Sequence, residues 1–371
     1  MSIYRRWGLR EVINARGYNT ALGSAVMAPE VLEAMIEASK SHVLMSELND
    51  RASQVIAQAT GAEAGCVTSG AAAGVAVSIA ACLTGTDLIR IERLPDTSTF
   101  PRYEVIIQRG HLNKYLLMIQ MTGARLVPFG YINGPGWTTQ EQLRGTMTDR
   151  TAAVFHVLGG HRHHKGELLL EAVIPVAHER SVPVVVDAAS MPDLRAYIAL
   201  GADLVTYSGG KSLLGPGSSG LIAGRADLVK ACRRQDWGIA RPMKVSKEET
   251  VGLMVALERY GRLNHPDVWQ EWRDRCVCVA EALSTIPHVA VRVLDRDDAG
   301  EAAVFVQVTI DEKALGRTAE EINAALSKGN PTIRLRDYFA YVGILELDIR
   351  TLFPEQQSVL ISRLSEELTK R

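Results

Sequence analysis

The feature that most constrains the fold is a repeated alternation of short apolar runs with longer segments of helical period. The apolar runs are continuous, so both faces of each strand are expected to be buried. This pattern predicts an α/β architecture, a mostly parallel sheet flanked by helices. The predicted strands are Gly65–Thr68, Glu104–Gln108, Arg125–Phe129, Thr151–Val157, Val182–Asp187, Asp203–Tyr207 and Gly220–Ala223. The predicted helices are an alanine-rich one opened by Ser69-Gly70-Ala71 and ending near Leu83, then Lys114–Thr122, Thr139–Arg144, Glu167–Arg180 and Leu194–Leu200.

The alternation ends near Lys244, where the pattern changes to long helices and then short mixed elements. The length of 371 residues corresponds to about two domains at roughly 100–200 residues each. We therefore predict a large α/β domain over residues 51–245 and a smaller α+β domain over 246–371, which opens with helices Lys247–Leu263 and His265–Ile286. Residues 1–50, which include a helix over Pro29–Ser39, are expected to pack with the small domain.

Charge and cysteine content exclude several classes of protein. The formal net charge is −1, whereas a sequence-independent nucleic-acid binder carries a basic excess, so no nucleic-acid partner is expected. No run of about 18 apolar residues is present, so no membrane span is expected, and the N-terminus lacks a signal-peptide pattern. The five cysteines include no CxxC pair, which favours reduced thiols, a cytoplasmic location and no metal site.

Three distinctive groups follow predicted strands, at the edge where α/β sheets bind ligands. Ser69-Gly70-Ala71 opens a helix, and a helix N-terminus attracts anions such as phosphate. Asp187 closes a buried apolar strand, and Lys211 lies in a glycine-rich segment after the next strand. Each has a structural alternative: small residues allow close helix packing, an aspartate caps a turn, and a lysine can be solvated.

Taken together, these three groups are more specific than any of them alone. Lys211 follows Asp187 by one strand–helix–strand step, so both are expected to reach the same crevice. A lysine for covalent attachment, an acid for a pyridine nitrogen and a helix N-terminus for a phosphate describe a site for pyridoxal 5′-phosphate.

Several segments also resemble a known family. The chain is similar to the fold-type I pyridoxal-phosphate enzymes of the selenocysteine synthase-like family, in particular its D-glucosaminate-6-phosphate ammonia-lyase-like members. The resemblance spans nearly the whole chain. The matching segments are Ile13–Gly17 (INARG), Thr60–Gly74 (TGAEAGCVTSGAAAG), Ile106–Tyr115 (IIQRGHLNKY), Val184–Ser190 (VVVDAAS), Gly201–Arg225 (GADLVTYSGGKSLLGPGSSGLIAGR) and Arg241–Glu249 (RPMKVSKEE).

The resemblance implies a role for each cofactor-site residue. Lys211 would bind the cofactor covalently, Asp187 would pair with its ring nitrogen, and His111 would stack on the ring, although His111 could instead be a capping residue. Such sites are built between subunits, so a homodimer or higher homo-oligomer with shared active sites is expected. The phosphate would be held by Ser69, Gly70, Ala71 and Ser208, with Gly217 near the phosphate of a neighbouring subunit.

Two further groups bear on the substrate. The resemblance maps Arg336 onto a position that grips a substrate carboxylate, with Arg16 as a second candidate; the alternative for Arg336 is a structural ion pair. The segment that contains His163 and His164 follows a predicted strand and could bind an anionic group or supply a general acid. A solvated loop is the alternative for this segment.

The expected activity is that of a pyridoxal-phosphate lyase. It would act on a polar 2-amino-3-hydroxy acid of the amino-sugar acid type and yield a 2-keto acid and ammonia by α,β-elimination. Racemisation, aldol cleavage and β-replacement of an amino acid use the same cofactor and remain alternatives. A tRNA-dependent selenium transferase and a non-catalytic binding protein are less favoured.

Overall fold

The structure is a computed structural model that describes residues 2–132, 137–158, 166–296 and 302–370. The chain divides into two compact units: a larger one, Val26–Arg262, and a smaller one formed by Met1–Ala25 with Leu263–Arg371. The strands, in chain order, are β1 (Val12–Ala15), β2 (Ala64–Thr68), β3 (Glu104–Gln108), β4 (Arg125–Phe129), β5 (Thr151–Val157), β6 (Val184–Asp187), β7 (Leu204–Ser208), β8 (Gly220–Gly224), β9 (Val289–Arg296), β10 (Ala302–Ile310), β11 (Thr332–Leu335) and β12 (Ile344–Leu347).

The helices include several of a single turn. In chain order they are α1 (Ile3–Arg6), α2 (Pro29–Ser39), α3 (Met45–Thr60), α4 (Ala71–Thr84), α5 (Leu88–Arg93), α6 (Leu117–Gln120), α7 (Gln140–Thr146), α8 (Leu170–His178), α9 (Ala196–Ala199), α10 (Ala226–Arg234), α11 (Lys247–Arg262), α12 (His265–Ser284), α13 (Glu312–Leu315), α14 (Ala319–Lys328) and α15 (Pro354–Thr369). Among the described residues, no helix is both long and apolar enough to span a bilayer.

The larger unit is built on a seven-stranded sheet in the order β2-β8-β7-β6-β5-β3-β4. The pairs from β7 to β4 are parallel, and only β8 runs antiparallel to its two neighbours. Every residue of β3, β5 and β8 is buried, as the continuous apolar runs predict. The prediction of a mostly parallel sheet flanked by helices is therefore confirmed.

The register brings the carboxyl ends of three strands together. Val157 at the end of β5 is the neighbour of Asp187 at the end of β6, and Asp187 is the neighbour of Thr206 in β7. The Leu158 N–H extends this alignment by donating to the Asp187 carbonyl oxygen over 2.8 Å. Groups that leave these strand ends consequently share one edge of the sheet.

Helix α8 begins at Leu170, later than the predicted start at Glu167. The cause is a pair of hydrogen bonds from a distant side chain. Gln108 Oε1 accepts from the Leu168 N–H over 2.8 Å, and Gln108 Nε2 donates to the Leu168 carbonyl oxygen over 2.9 Å. These bonds hold the backbone of Leu168 in the segment that precedes α8.

Other predicted helices are shorter or differ in type. Residues predicted as one helix over 114–122 form a 3-10 turn, Lys114–Leu116, followed by the single turn of α6. The helix predicted over 194–200 is reduced to α9. The Asp193 side chain accepts from the N–H groups of Arg195 and Ala196, and this turn delays the start of α9.

The limits of the two units differ from the predicted limits at residues 50/51 and 245/246. Helices α2 and α3 pack against α11 inside the larger unit. Arg259 Nε pairs with Glu30 Oε1 at 3.1 Å, and Lys247 Nζ donates to the Ala38 carbonyl oxygen over 2.6 Å. These contacts keep residues 26–50 and helix α11 with the large sheet.

The smaller unit contains an antiparallel sheet, β12-β10-β9, and a parallel pair, β1-β11. The pairing of β1 with β11 joins the first 25 residues to the C-terminal part of the chain. Apolar residues of α12, α14 and α15 pack with these strands in one core. This composition is the α+β type that the sequence predicts for the second domain.

Candidate active site

Asp187 lies at the carboxyl end of β6, in the middle of the large sheet. Its Oδ1 accepts the Ala189 N–H over 3.1 Å. The surrounding protein desolvates the carboxylate and raises the pKa of Asp187, against the lowering effects of this hydrogen bond and of the positive charge of Lys211. Asp187 is therefore a carboxylate whose ionised form is disfavoured by its surroundings.

Lys211 lies in the loop that follows β7, and backbone hydrogen bonds hold this loop. The Gly209 N–H donates to the Ser219 carbonyl oxygen over 2.8 Å, and the Gly215 N–H donates to the Gly209 carbonyl oxygen over 2.9 Å. A Cβ at Gly209 would lie 2.1 Å from Ser219 Oγ, so the loop needs glycine there. The fixed loop sets the point from which the Lys211 side chain extends.

The Lys211 ammonium group is also desolvated, and this lowers the pKa of Lys211, with Asp187 opposing the shift. Among the described residues no carboxylate forms a direct ion pair with Lys211. The lysine and the aspartate thus influence each other electrostatically, but each lacks a contacting counter-ion. A lowered pKa increases the fraction of the neutral amine, which is the form that acts as a nucleophile or base.

The N-terminus of α4 lies beside β8 and β7. A Cβ at Gly220 would lie 2.6 Å from the Gly70 carbonyl carbon and 2.8 Å from the Tyr207 carbonyl oxygen, so glycine permits this close approach. Gly70, with φ of 137°, is the N-cap residue and supplies no capping side chain. The first backbone N–H groups of α4 have no partner within the helix, and together with the positive end of the helix dipole they can bind an anion.

Two hydroxyl groups are available close to these elements. Ser69 precedes α4, and Ser208 ends β7; neither is fully buried. Among the described residues neither hydroxyl oxygen has a hydrogen-bond partner. Both can therefore donate to a bound oxyanion without first breaking an internal bond.

His111 is buried near the ends of β3 and β5. Its Nδ1 accepts the Val157 N–H over 3.3 Å, and its ring meets His156 edge-on, with the ring centroids 4.5 Å apart. Its Nε2 lies 3.6 Å from Glu167 Oε2, and both side chains are only 5% exposed. Because Val157 is in register with Asp187, His111 is anchored one strand away from that carboxylate.

Full-length relatives of the chain include proteins that are more than 30% identical to it. The chain is 39% identical over 371 residues to a 5′-C-glycyluridine monooxygenase-decarboxylase of a Streptomyces species, which covers 98% of this chain and 92% of the relative. It is 36% identical over 369 residues to the D-glucosaminate-6-phosphate ammonia lyase of Salmonella typhimurium, covering 98% and 97% of the two chains. No protein-family model matches the chain.

A more distant relative and a solved structure complete the comparison. An L-seryl-tRNA(Sec) selenium transferase of Aquifex aeolicus is 24% identical over 413 residues, covering 97% of this chain and 85% of the relative. A solved D-glucosaminate-6-phosphate ammonia-lyase matches with a TM-score of 0.88 and 35% identity, covering 99% and 98% of the two chains. The chain belongs to the selenocysteine synthase-like family of fold-type I pyridoxal-phosphate enzymes.

The cofactor of this family is pyridoxal 5′-phosphate, and the site fits it. A protonated pyridine nitrogen would give Asp187 the contacting cation that it lacks, and the neutral form of Lys211 suits covalent attachment. At Gly70 an added Cβ would meet no described atom within 4 Å, so open space lies at the N-terminus of α4 where a phosphate would bind.

The two arginines predicted to bind substrate lie in the smaller unit, and both stack on Tyr338. The Cζ of Arg16 lies 5.2 Å from the Tyr338 ring centroid and that of Arg336 lies 5.9 Å from it. Arg336 Nε also lies 3.4 Å from the buried Glu346 carboxylate, and Arg16 Nη1 lies 2.9 Å from Asp337. The ion-pair alternative for Arg336 is thus present in the structure. Its Nη1 and Nη2 make no hydrogen bond within the described part of the chain.

The locations of three other predicted site residues are as follows. His163 and His164 lie outside the described residues. Gly217 is exposed in the loop that contains Lys211. Within the part of the chain that the structure describes, no group of three or more His, Cys, Asp or Glu side chains could hold a metal ion.

The larger unit also contains a cavity of about 270 Å³. It adjoins the start of α4 through Thr68 and Ala73, and the cationic side chains Arg241 and Lys244 lie in its wall together with Asp236. Neither Arg241 nor Lys244 is among the predicted site residues.

Glu167 is a residue near His111 that sequence reasoning missed. The sequence predicts it as the first residue of a helix, but it lies before α8, with its Oε2 3.6 Å from His111 Nε2. This contact partner is 56 positions earlier in the chain, and no local pattern indicates such a contact.

Proposed function

We propose that this protein is a pyridoxal-phosphate-dependent ammonia-lyase that acts on a 2-amino-3-hydroxy acid of the amino-sugar acid type. The observation that carries this proposal is the pair of desolvated, oppositely charged groups Asp187 and Lys211 at neighbouring strand ends. The 36% identical ammonia lyase and the solved ammonia-lyase with a TM-score of 0.88 support the same assignment.

Bound pyridoxal phosphate supplies a conjugated ring that accepts the electron pair left at the substrate α-carbon. Asp187 would keep the ring nitrogen protonated, and Ser69, Gly70, Ala71 and Ser208 would hold the phosphate. Lys211 would hold the cofactor and, as a neutral amine, take the proton from the substrate α-carbon. His111, buried near the ends of β3 and β5, would support one face of the ring.

The overall reaction removes the α-proton and the β-hydroxyl group as water and leaves an enamine of the substrate. Water then replaces the amino group, so the products are a 2-keto acid and ammonia. The free Nη1 and Nη2 of Arg336, with Arg16 nearby, would bind the substrate carboxylate. His163 and His164 remain proposed contacts for a second anionic group.

A second candidate activity is oxidative decarboxylation of a glycyl nucleoside, because the 39% identical relative is a 5′-C-glycyluridine monooxygenase-decarboxylase. The two reactions give different products: ammonia with a keto acid in one case, and carbon dioxide with oxygen uptake in the other. Racemisation, aldol cleavage and β-replacement release neither ammonia with a keto acid nor carbon dioxide with oxygen uptake.

We further propose a homodimer or higher homo-oligomer in the cytoplasm. Apolar side chains on α2 and the segment before α3 are exposed in the single chain, including Ile36 at 60% and Leu44 at 65%. Patches of this kind are typical of an interface between copies. The five cysteines are free thiols, in keeping with a reducing compartment.

The proposal is tested with purified protein loaded with pyridoxal phosphate and incubated with D-glucosaminate 6-phosphate and a series of D- and L-amino acids. Keto acid, ammonia, carbon dioxide and oxygen are measured together. We expect keto acid and ammonia in equal amounts, and loss of at least about a thousandfold in rate in Lys211→Ala. Wild-type activity in Lys211→Ala would overturn the assignment, and carbon dioxide with oxygen uptake would favour the second candidate.

A further inference from the structure

The hydrogen bonding of His111 defines which ring nitrogen carries the proton. Nδ1 accepts the backbone N–H of Val157, so Nδ1 is the unprotonated nitrogen and the ring proton is on Nε2. His111 Nε2 lies 3.6 Å from Glu167 Oε2, and both side chains are 5% exposed. The edge-on ring of His156, at an interplanar angle of 88°, contacts His111 from a third direction.

Glu167 is itself held by fixed backbone on both sides. On one side the Gly166 carbonyl oxygen accepts the Thr138 N–H over 2.9 Å, and Gly166 has φ of 95°, a value suited to glycine. On the other side Gln108 bonds both backbone groups of Leu168. A carboxylate carried by such a segment has little freedom to move away from His111.

Glu167 is a buried acid whose carboxylate lies close to His111. Burial of a carboxylate is costly unless polar partners compensate for it. One such partner is the Nε2 of His111, which lies 3.6 Å from Glu167 Oε2. Helix α8 starts three residues after Glu167, and Gln108 holds the intervening segment through the backbone groups of Leu168.

We propose that Glu167 is a positioning residue that fixes the orientation of the His111 ring, whose tautomer is set by the Val157 N–H. This inference rests on the proposed function, in which His111 supports the cofactor ring. With Nδ1 bonded to Val157 and Nε2 3.6 Å from Glu167 Oε2, both ring nitrogens face protein groups. His111 therefore acts through the face of its ring and does not transfer protons.

The test is a double-mutant cycle read by cofactor binding. The variants are Glu167→Gln, His111→Phe and the double variant, with Glu171→Gln as a control at an exposed position in the first turn of α8. The dissociation constant of pyridoxal phosphate is measured by absorption titration, and thermal unfolding of each variant checks that it folds. We expect Glu167→Gln to weaken binding about tenfold in the native background and to have no effect when residue 111 is phenylalanine.

A second readout does not need the cofactor. Nitrogen NMR of the histidine-labelled apo protein is expected to show His111 with its proton on Nε2, and Glu167→Gln is expected to shift its Nε2 resonance while Glu171→Gln does not. Equal effects of Glu167→Gln in both backgrounds, or an unchanged Nε2 resonance, would overturn the proposal. If the wild-type protein fails to bind pyridoxal phosphate, the proposed function fails, and the apo NMR still decides the role of Glu167.

Discussion

Two buried sites, one in the larger unit and one in the smaller unit, arrange their ionised groups in opposite ways. At the edge of the large sheet, Asp187 and Lys211 are desolvated, and among the described residues neither has a counter-ion in direct contact. In the smaller unit, Asp348 receives two hydrogen bonds from Arg350, at 2.9 and 2.6 Å. Both sites are buried. Asp348 has an oppositely charged side chain in direct contact, whereas Asp187 and Lys211 would gain such a partner only from a bound ligand.

The pKa directions follow from this difference. Desolvation raises the pKa of Asp187, and the neighbouring groups do not compensate for it. Burial also acts to raise the pKa of Asp348, but the charge and hydrogen bonds of Arg350 outweigh it, so the net shift is downward. A complete ion pair contributes to the fold, whereas an incomplete one is a place where a charged ligand can bind.

The largest effect expected in this comparison is on catalysis in Asp187→Asn. An amide lacks the negative charge that keeps the ring nitrogen protonated, so the rate is expected to fall by about a hundredfold to a thousandfold, with weaker cofactor binding. Asp149→Asn, at an exposed position, is the control and should leave both quantities unchanged. Steady-state kinetics and absorption titration measure them; wild-type kinetics in Asp187→Asn would refute the pairing.

The same substitution is expected to stabilise the apo protein. A folded-state pKa above the unfolded value means that ionised Asp187 costs stability, and this cost grows as the pH rises through the unfolded and then the folded pKa. Asp187→Asn should therefore raise Tm at neutral pH and have little effect below the ordinary aspartate pKa. Thermal unfolding of the apo protein across this pH range measures the difference. A lower Tm at neutral pH would contradict the account.

The next effect concerns the complete pair in the smaller unit. Asp348→Ala leaves Arg350 without its partner and is expected to cost about 3 kcal/mol of unfolding free energy at neutral pH. The pKa of Asp348 is lowered, so its stabilising contribution is present above the ordinary aspartate pKa and is lost as the pH falls through the folded value. Denaturant unfolding measures this loss.

The matched variant for this pair is Asp274→Ala, on the exposed side of α12. It should change the unfolding free energy by less than about 0.5 kcal/mol. Neither variant should alter the dissociation constant of pyridoxal phosphate beyond the effect of unfolding. A specific loss of cofactor affinity in well-folded Asp348→Ala would remove the distinction between the two regions.

The smallest effect is expected for Arg336→Lys. Lysine keeps the charge near Glu346 but loses the planar Nη1 and Nη2 donors that no described acceptor uses. We expect KM for the substrate to rise about tenfold while cofactor binding is unchanged. Arg334→Lys, two residues earlier and exposed, is the control. An unchanged KM in Arg336→Lys would leave Arg336 with the ion-pair role alone.

The sequence predicts the parts of the molecule that depend on local patterns. Continuous apolar runs indicate strands buried on both faces, and parallel strands place their carboxyl ends together, so Asp187 and Lys211 could be assigned to one edge. The start of α8 could not be predicted, because it depends on Gln108, 60 positions from Leu168. The position of Glu167 follows from that same contact.

Contacts in the smaller unit were likewise beyond what sequence patterns can predict. Arg336 and Glu346 face each other across an isolated antiparallel bridge, and their backbone groups exchange hydrogen bonds of 3.0 Å in each direction. A motif that marks Arg336 as a carboxylate ligand does not reveal this partner. The limits of the two units likewise depend on how α2 and α3 pack on α11, which sequence periodicity does not report.

The measurement that tests the central claim most directly is borohydride reduction of the protein with bound pyridoxal phosphate, followed by peptide mass mapping. The claim is that Lys211, whose amino group is desolvated and lies in the field of Asp187, binds this cofactor covalently. We expect one reduced pyridoxyl group per chain, on Lys211, and none in Lys211→Ala. Label spread over exposed lysines such as Lys230 and Lys313, with Lys211 unmodified, would contradict the account.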